Sequence, residues 1–126
     1  MSKINPRTKN GNLRRKYRAR MQAMGEPCGI CHGRLGPIHY DEPSDAAHPL
    51  SFVIDEIRPV SRWKQFGYDS PAAAAQDWQN LQPAHYCCNQ AKGAKLPNEM
   101  LGTRANRKIE AMALLADRIA ALDGDW

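Results

Sequence analysis

The apolar positions along this chain change period several times, and each change marks an element. Leu13, Tyr17, Met21 and Met24 recur at helical spacing, which predicts a helix over about 12–24, stopped by Gly25 and Pro27. The first ten residues, with Asn5, Pro6 and Asn10, read as a flexible tail. Residues 28–50 hold no sustained period and carry glycines, prolines, Asp41, Glu42 and Asp45, the composition of a loop. Ser51-Phe52-Val53-Ile54-Asp55-Glu56-Ile57 is the clearest strand signal, and Pro59 closes it. Ser70-Pro71 opens a short alanine-rich helix that takes in Trp78, with Ser70 as N-cap and Pro71 in the first turn. Leu81-Gln82 reads as a short second strand, and His85 to about Lys95 as a helix. A last helix is expected over about 98–122, with Met100, Ile109, Met112, Leu115, Ile119 and Leu122 as its apolar stripe and Gly124 as its stop.

This order of elements predicts an α+β chain. Its 126 residues suit a single domain. Three parts are expected: a basic arm and helix over 1–27, a core over 28–96, and a C-terminal helix over 97–126 packing on that core. At 42% hydrophobic content the core is thin, and small domains often need a metal or disulfide staple.

Charge changes the picture next. The net charge is +5, which favours polyanionic partners, because Lys and Arg displace counterions condensed on phosphate backbones. Much of it sits in 1–27, where Lys3, Arg7, Lys9, Arg14, Arg15, Lys16, Arg18 and Arg20 face one acid, Glu26. Arg14, Arg15 and Lys16 are candidate contacts to nucleic-acid backbone. Arg58 and Arg62, beside Trp63 and Lys64, are a second set between the strands. Trp78, Tyr86 and Phe66 read as packing residues. No apolar stretch approaches the ~20 residues of a transmembrane helix, and no secretory signal is evident. A reducing cytoplasmic setting, with no membrane partner, is therefore expected, and there four cysteines point to metal before disulfide.

The cysteines have ligand spacing. Cys28-Gly-Ile-Cys31 is a knuckle, with two thiolates two residues apart and a glycine in the turn. His85-Tyr-Cys-Cys88 supplies a second pair; on a helix, positions i and i+3 share a face, while Cys87 points away. Cys28, Cys31, His85 and Cys88 thus form a candidate Cys3His zinc site of the closed, structural kind, tying the first third of the chain to the last. Cys28-x-x-Cys31-His32 also matches a haem c attachment pattern, but that reading lacks an export signal and leaves His85 and Cys88 without a role.

Between and after these pairs stand Asp55-Glu56-Ile57-Arg58-Pro59 and Asn80-Leu81-Gln82-Pro83-Ala84-His85-Tyr86-Cys87-Cys88-Asn89-Gln90-Ala91-Lys92-Gly93. Together with the knuckle, over about 27–95, this ordering resembles the HNH endonuclease family (ββα-metal, or His-Me finger, nucleases), above all its short phage-associated members. Their pattern is CxxC, then Asp-His-x-x-Pro, then Asn-Leu-x-x-x-His-x-x-Cys-Asn-x-x-Lys-Gly. The resemblance implies a ββα-metal core with a structural zinc and flanking helices. It implies an endonuclease that hydrolyses phosphodiester bonds in DNA beside phage packaging proteins. Asp55 and Asn89 would hold a catalytic divalent cation, Asn80 would fix the loop between the strands and orient the base, and Lys92 would face the phosphate. Oxygen ligands of this kind suit Mg²⁺ or Mn²⁺, with Ni²⁺ a further candidate.

One position departs from the pattern: Glu56 stands where the family has its general-base histidine. Three readings follow: Glu56 is the base, another group such as His48 is, or catalysis is weak or lost. His48 also reads as an anchor for the loop before the strand. The alternative function is a non-catalytic zinc-binding module that binds nucleic acid. A third is a purely structural zinc protein in a larger assembly.

Overall fold

The computed structural model describes residue 5 and residues 11–100 and 103–123; the tail over 1–10 otherwise, the Gly124 stop, and the Ile119 and Leu122 side chains of the expected stripe lie outside the described residues. The fold is α+β, with five helices and one two-stranded sheet among those residues.

Helix α1 spans Gly11–Met24 and ends where Gly25, at φ 62°, donates its N–H to the Met21 carbonyl 3.0 Å away. A left-handed residue just past a helix end is tolerated best by glycine, so the stop is chemical rather than incidental. Met21 is buried, but Met24 is half exposed, because the helix turns only one edge to the core. That edge carries Tyr17, which donates to the Gln76 carbonyl at 2.8 Å and stacks on Trp78 with centroids 5.1 Å apart.

Strand β1 (Phe52–Glu56) pairs antiparallel with β2 (Leu81–His85), with Asp55 opposite Gln82 and Ile54 opposite Pro83. The second strand is longer than the Leu81-Gln82 expected. Proline normally argues against a strand interior, but here the Pro83 carbonyl faces outward and accepts from Gly29 N at 2.9 Å. The missing N–H of Pro83 lies on that same outer edge, so no ladder bond is lost. His85 closes β2 and forms the N-cap of α3 (Tyr86–Lys92), so it stands at a strand–helix junction rather than inside the helix.

The long connection between the strands holds a 3₁₀ segment (Val60–Phe66), helix α2 (Pro71–Gln76) and a 3₁₀ turn (Trp78–Asn80). Ser70 Oγ accepts from Ala73 N at 3.1 Å, the expected cap. Trp78 falls beyond α2, because Asp77 ends that helix and caps the next turn through Gln79 N.

The expected last helix is two: α4 (Pro97–Met100) and α5 (Arg104–Asp123). Thr103 interrupts the run, its Oγ1 accepting from Asn106 N at 3.1 Å as a cap that restarts the helix. Helix α5 packs on α3 through Ile109 and Ala113, whereas Leu115, expected in the stripe, is 59% exposed. The main core joins Met21, Leu35, Ile38, Phe52, Ile54, Leu81, Met100 and Ile109 to the three buried cysteines. A smaller cluster of Val60, Ala74 and Ala75 lies under Trp63 and Tyr68.

Candidate metal centre and adjoining polar groove

Three elements bring four ligand atoms together. The 28–31 turn supplies Cys28 and Cys31, the end of β2 supplies His85, and the first turn of α3 supplies Cys88. All four are buried, and their ligand atoms lie within 4.8 Å of one another. The knuckle closes through His32 N to the Cys28 carbonyl at 2.9 Å and Arg34 N to the Cys31 carbonyl at 3.1 Å, with His32 and Gly33 both at positive φ. His32 is exposed, and both cysteines turn inward to His85, so the haem pattern has no geometric counterpart.

The spacing fits one tetrahedral ion. Zinc bonds to sulfur and imidazole nitrogen imply S···N edges of about 3.5 Å and S···S edges of about 3.8 Å. His85 Nδ1 stands 3.5 Å from Cys31 Sγ and 3.7 Å from Cys88 Sγ. The outer shell is built as well. His85 Nε2 faces the Pro37 carbonyl at 3.3 Å, which orients the ring with Nδ1 toward the sulfurs. Cys28 Sγ accepts from Ile30 N and His85 N, each at 3.4 Å. Crowding distorts the titration of Cys31, His85 and Cys88. Hydrogen bonds from Cys28 and then Cys88 pull the Cys31 thiol far down, and those with Cys28 and Cys31 push the Cys88 thiol far up. Burial lowers the pKa of His85, but the Cys28 and Cys31 sulfurs reverse this and push it up to about 10. A divalent metal such as zinc could take the place of protons among these ligand atoms. Cys87 is half-buried outside the cluster.

Beside the metal centre lies a groove of about 730 Å³, lined by Asp55 and Glu56 from β1, Asn89 from α3, Arg14 from α1, and Ser61 and Trp63 from the linking segment. Asp55 and Glu56 are both buried, at 3% and 6% exposure, in contrast to ordinary alternation on a one-faced sheet. Each has its own partner. Asp55 Oδ1 accepts from Lys92 Nζ at 3.1 Å and Oδ2 from Gln82 Nε2 at 2.9 Å. Burial pushes the Asp55 carboxyl above its usual range, against the opposing pull of Lys92 and Gln82. Glu56 Oε2 accepts from Arg14 at 3.0 Å, and the same guanidinium donates to the Ala75 carbonyl.

Several sequence expectations change here. Lys92, expected to face a phosphate, is 2% exposed and donates to Asp55 and to the Glu56 carbonyl at 2.9 Å. A buried ammonium needs such partners, and they hold it beneath the strand. Arg14, expected on a nucleic-acid surface, turns inward to Glu56. Arg62 bonds Glu99 at 2.5 Å and Arg58 lies over the Phe66 ring, while Arg15 and Lys16 remain exposed. His48 pairs with Asp45 at 2.7 Å in the loop before β1 and does not line the groove.

Asn80 is buried at the base of β2. Its Oδ1 accepts from Arg58 N at 2.8 Å, and its Nδ2 donates to the Arg58 and Ala74 carbonyls at 3.0 and 3.1 Å. One carboxamide therefore joins both ends of the linking segment. Sequence reasoning missed Gln82, although its register opposite Asp55 follows from the strand pairing. A Cβ at Gly29 would collide with the Gln82 carboxamide, so the knuckle and the Asp55 partner are packed against each other.

Fold and site thus define a class: an α+β chain with a buried Cys3His group able to hold a metal ion such as zinc. No protein-family model, curated protein or solved structure matches the chain. Among the described residues, no helix is long and apolar enough to cross a membrane.

Proposed function

We propose that the chain is a metal-dependent endonuclease of HNH type, hydrolysing phosphodiester bonds in DNA, with zinc as its structural staple. One observation carries this reading: Asp55, Glu56 and Asn89 line a single polar groove where an antiparallel strand pair runs directly into a helix. That is the placement the HNH resemblance implies for a cation-binding carboxylate, a base and a carboxamide ligand. An ionised carboxylate offers about four acceptor positions. Asp55 accepts two hydrogen bonds from Lys92 and Gln82 and keeps acceptor capacity for a hard cation. A Mg²⁺ or Mn²⁺ ion held by Asp55 and Asn89 would neutralise charge on a phosphate and its leaving oxygen, with Glu56 placed to take a proton from water. Packaging proteins remain the partners suggested by the phage-like motif order.

The Arg14–Glu56 pair favours a second reading, a zinc module that binds nucleic acid without cutting it, because a carboxylate held by a guanidinium is occupied as a base. Incubating plasmid with the protein and Mg²⁺, Mn²⁺ or Ni²⁺ separates the two. Metal-dependent nicking is expected, with at least a hundredfold loss in Asn89→Ala. That variant is a cleaner probe than Asp55→Ala, since Asp55 also neutralises Lys92. Binding without cleavage under every metal removes the nuclease reading and leaves the binding module.

A further inference from the structure

The cations first expected to meet phosphate are largely engaged within the fold. Arg14 pairs with Glu56, Arg62 with Glu99, Arg18 lies over Phe52 and Arg20 over Trp78. A different set of cations lines a depression of about 750 Å³ formed by Ala91, Lys95, Arg104, Arg107 and Lys108. Arg104, Arg107 and Lys108 stand at i, i+3 and i+4 on the first turns of α5, so they share one helix face. All three are exposed, and Lys95 joins them from the segment after α3. No described acidic residue lines this depression. Two carboxylates of the flanking helices pair with other cations: Glu110 with Arg34 at 3.2 Å and Glu99 with Arg62.

Its position relative to the groove matters as much as its charge. Asn89, Gln90, Gly93 and Ala94 line the groove, whereas Ala91 and Lys95 line the depression. The two hollows therefore flank the same short helix, separated by about one helix diameter, roughly 10 Å. Phosphates recur every 3.4 Å of rise along each strand of B-form DNA, so about three steps of one strand cover that gap.

We infer that Lys95, Arg104, Arg107 and Lys108 form a binding site for the phosphate backbone of double-stranded DNA, holding the duplex across α3 from the groove. The choice of duplex DNA rests on the nuclease reading; the binding itself does not. Phosphate contacts of this kind position a duplex without reading its sequence, and each neutralised phosphate adds about 0.9 to the slope of log affinity against log salt.

The test measures affinity of the full zinc-loaded chain for a short duplex without Mg²⁺, between 50 and 200 mM salt (a range in which such contacts weaken strongly). The variant K95Q/R104Q/R107Q/K108Q is expected to lower the salt slope by about 3 and to bind at least tenfold more weakly at the lowest salt. The double variant R104Q/K108Q, confined to exposed side chains, should lower it by about 2. R15Q/K16Q on α1 is the comparison and should move it less. The inference is overturned if wild type does not bind the duplex, if the four-site slope is unchanged, if R15Q/K16Q removes more of it, or if the depression binds only anionic vesicles. Plasmid cleavage is scored separately. Cleavage with an unchanged slope sinks this site and leaves the nuclease, whereas a lost slope without cleavage does the reverse.

Discussion

The metal centre and the groove lie side by side and solve the problem of buried polar groups in opposite ways. At the metal centre, Cys28, Cys31, His85 and Cys88 converge within 4.8 Å, with neighbouring amides and a carbonyl around them. These four ligand atoms are placed so that a metal ion such as zinc could sit among them. In the groove, the protein supplies the cations itself: Lys92 for Asp55 and Arg14 for Glu56. The first arrangement is closed, with all four residues buried. The second lines a groove, with both carboxylates buried and each balanced by a cation of the protein. On the proposed reading, folding would depend on the first, and chemistry on how readily the second gives up its internal pairs.

The comparison breaks most sharply at the cysteines. Structural zinc contributes about 10–16 kcal/mol of apparent binding energy at neutral pH, comparable to the whole stability of a small domain. Cys31→Ser, or a strong chelator added to the wild type, should abolish the cooperative thermal transition followed by circular dichroism. Retention of the wild-type melting temperature would show that the four residues hold no ion.

A smaller but still large effect is expected in the groove. Asp55→Ala leaves Lys92 buried without its counter-ion and should cost about 3–5 kcal/mol in denaturant titration. The double variant Asp55→Leu with Lys92→Met should recover most of that loss, because removing both charges removes the desolvation problem. If the single and double variants are equally unstable, Lys92 does not neutralise Asp55 and the contrast between the two regions fails.

The smallest effect probes the link between them. Gly29→Ala drives a Cβ into the Gln82 carboxamide, whose flexible end must swing away and give up its hydrogen bond to Asp55, a loss of about 1–3 kcal/mol. Zinc content should stay at one ion per chain, while Gln82 loses its hold on Asp55. A variant with unchanged stability would mean that the knuckle and the groove are independent.

How much of this was legible beforehand differs by element. The metal ligands were, because Cys-x-x-Cys and His-x-x-Cys are local spacings that a turn and a helix start can each satisfy within four residues. The N-cap of α2 and the stop of α1 were legible for the same reason. The full length of β2 was not. Pro83 reads as a strand breaker until its carbonyl is seen facing Gly29. Nor was the split between α4 and α5, since the apolar positions continue across it and only the Thr103 hydroxyl marks a restart.

What the chain determined by itself, then, was its class and its candidate metal ligands: an α+β order of elements, a thin core, and two ligand pairs at metal spacing. Tertiary structure alone decided the partners of the charges. Arg14 is 42 residues from Glu56, and Lys92 is 37 from Asp55. Whether a long cationic side chain reaches water, a phosphate or a buried carboxylate depends on which surfaces close around it. That is a property of packing, and no local spacing encodes it.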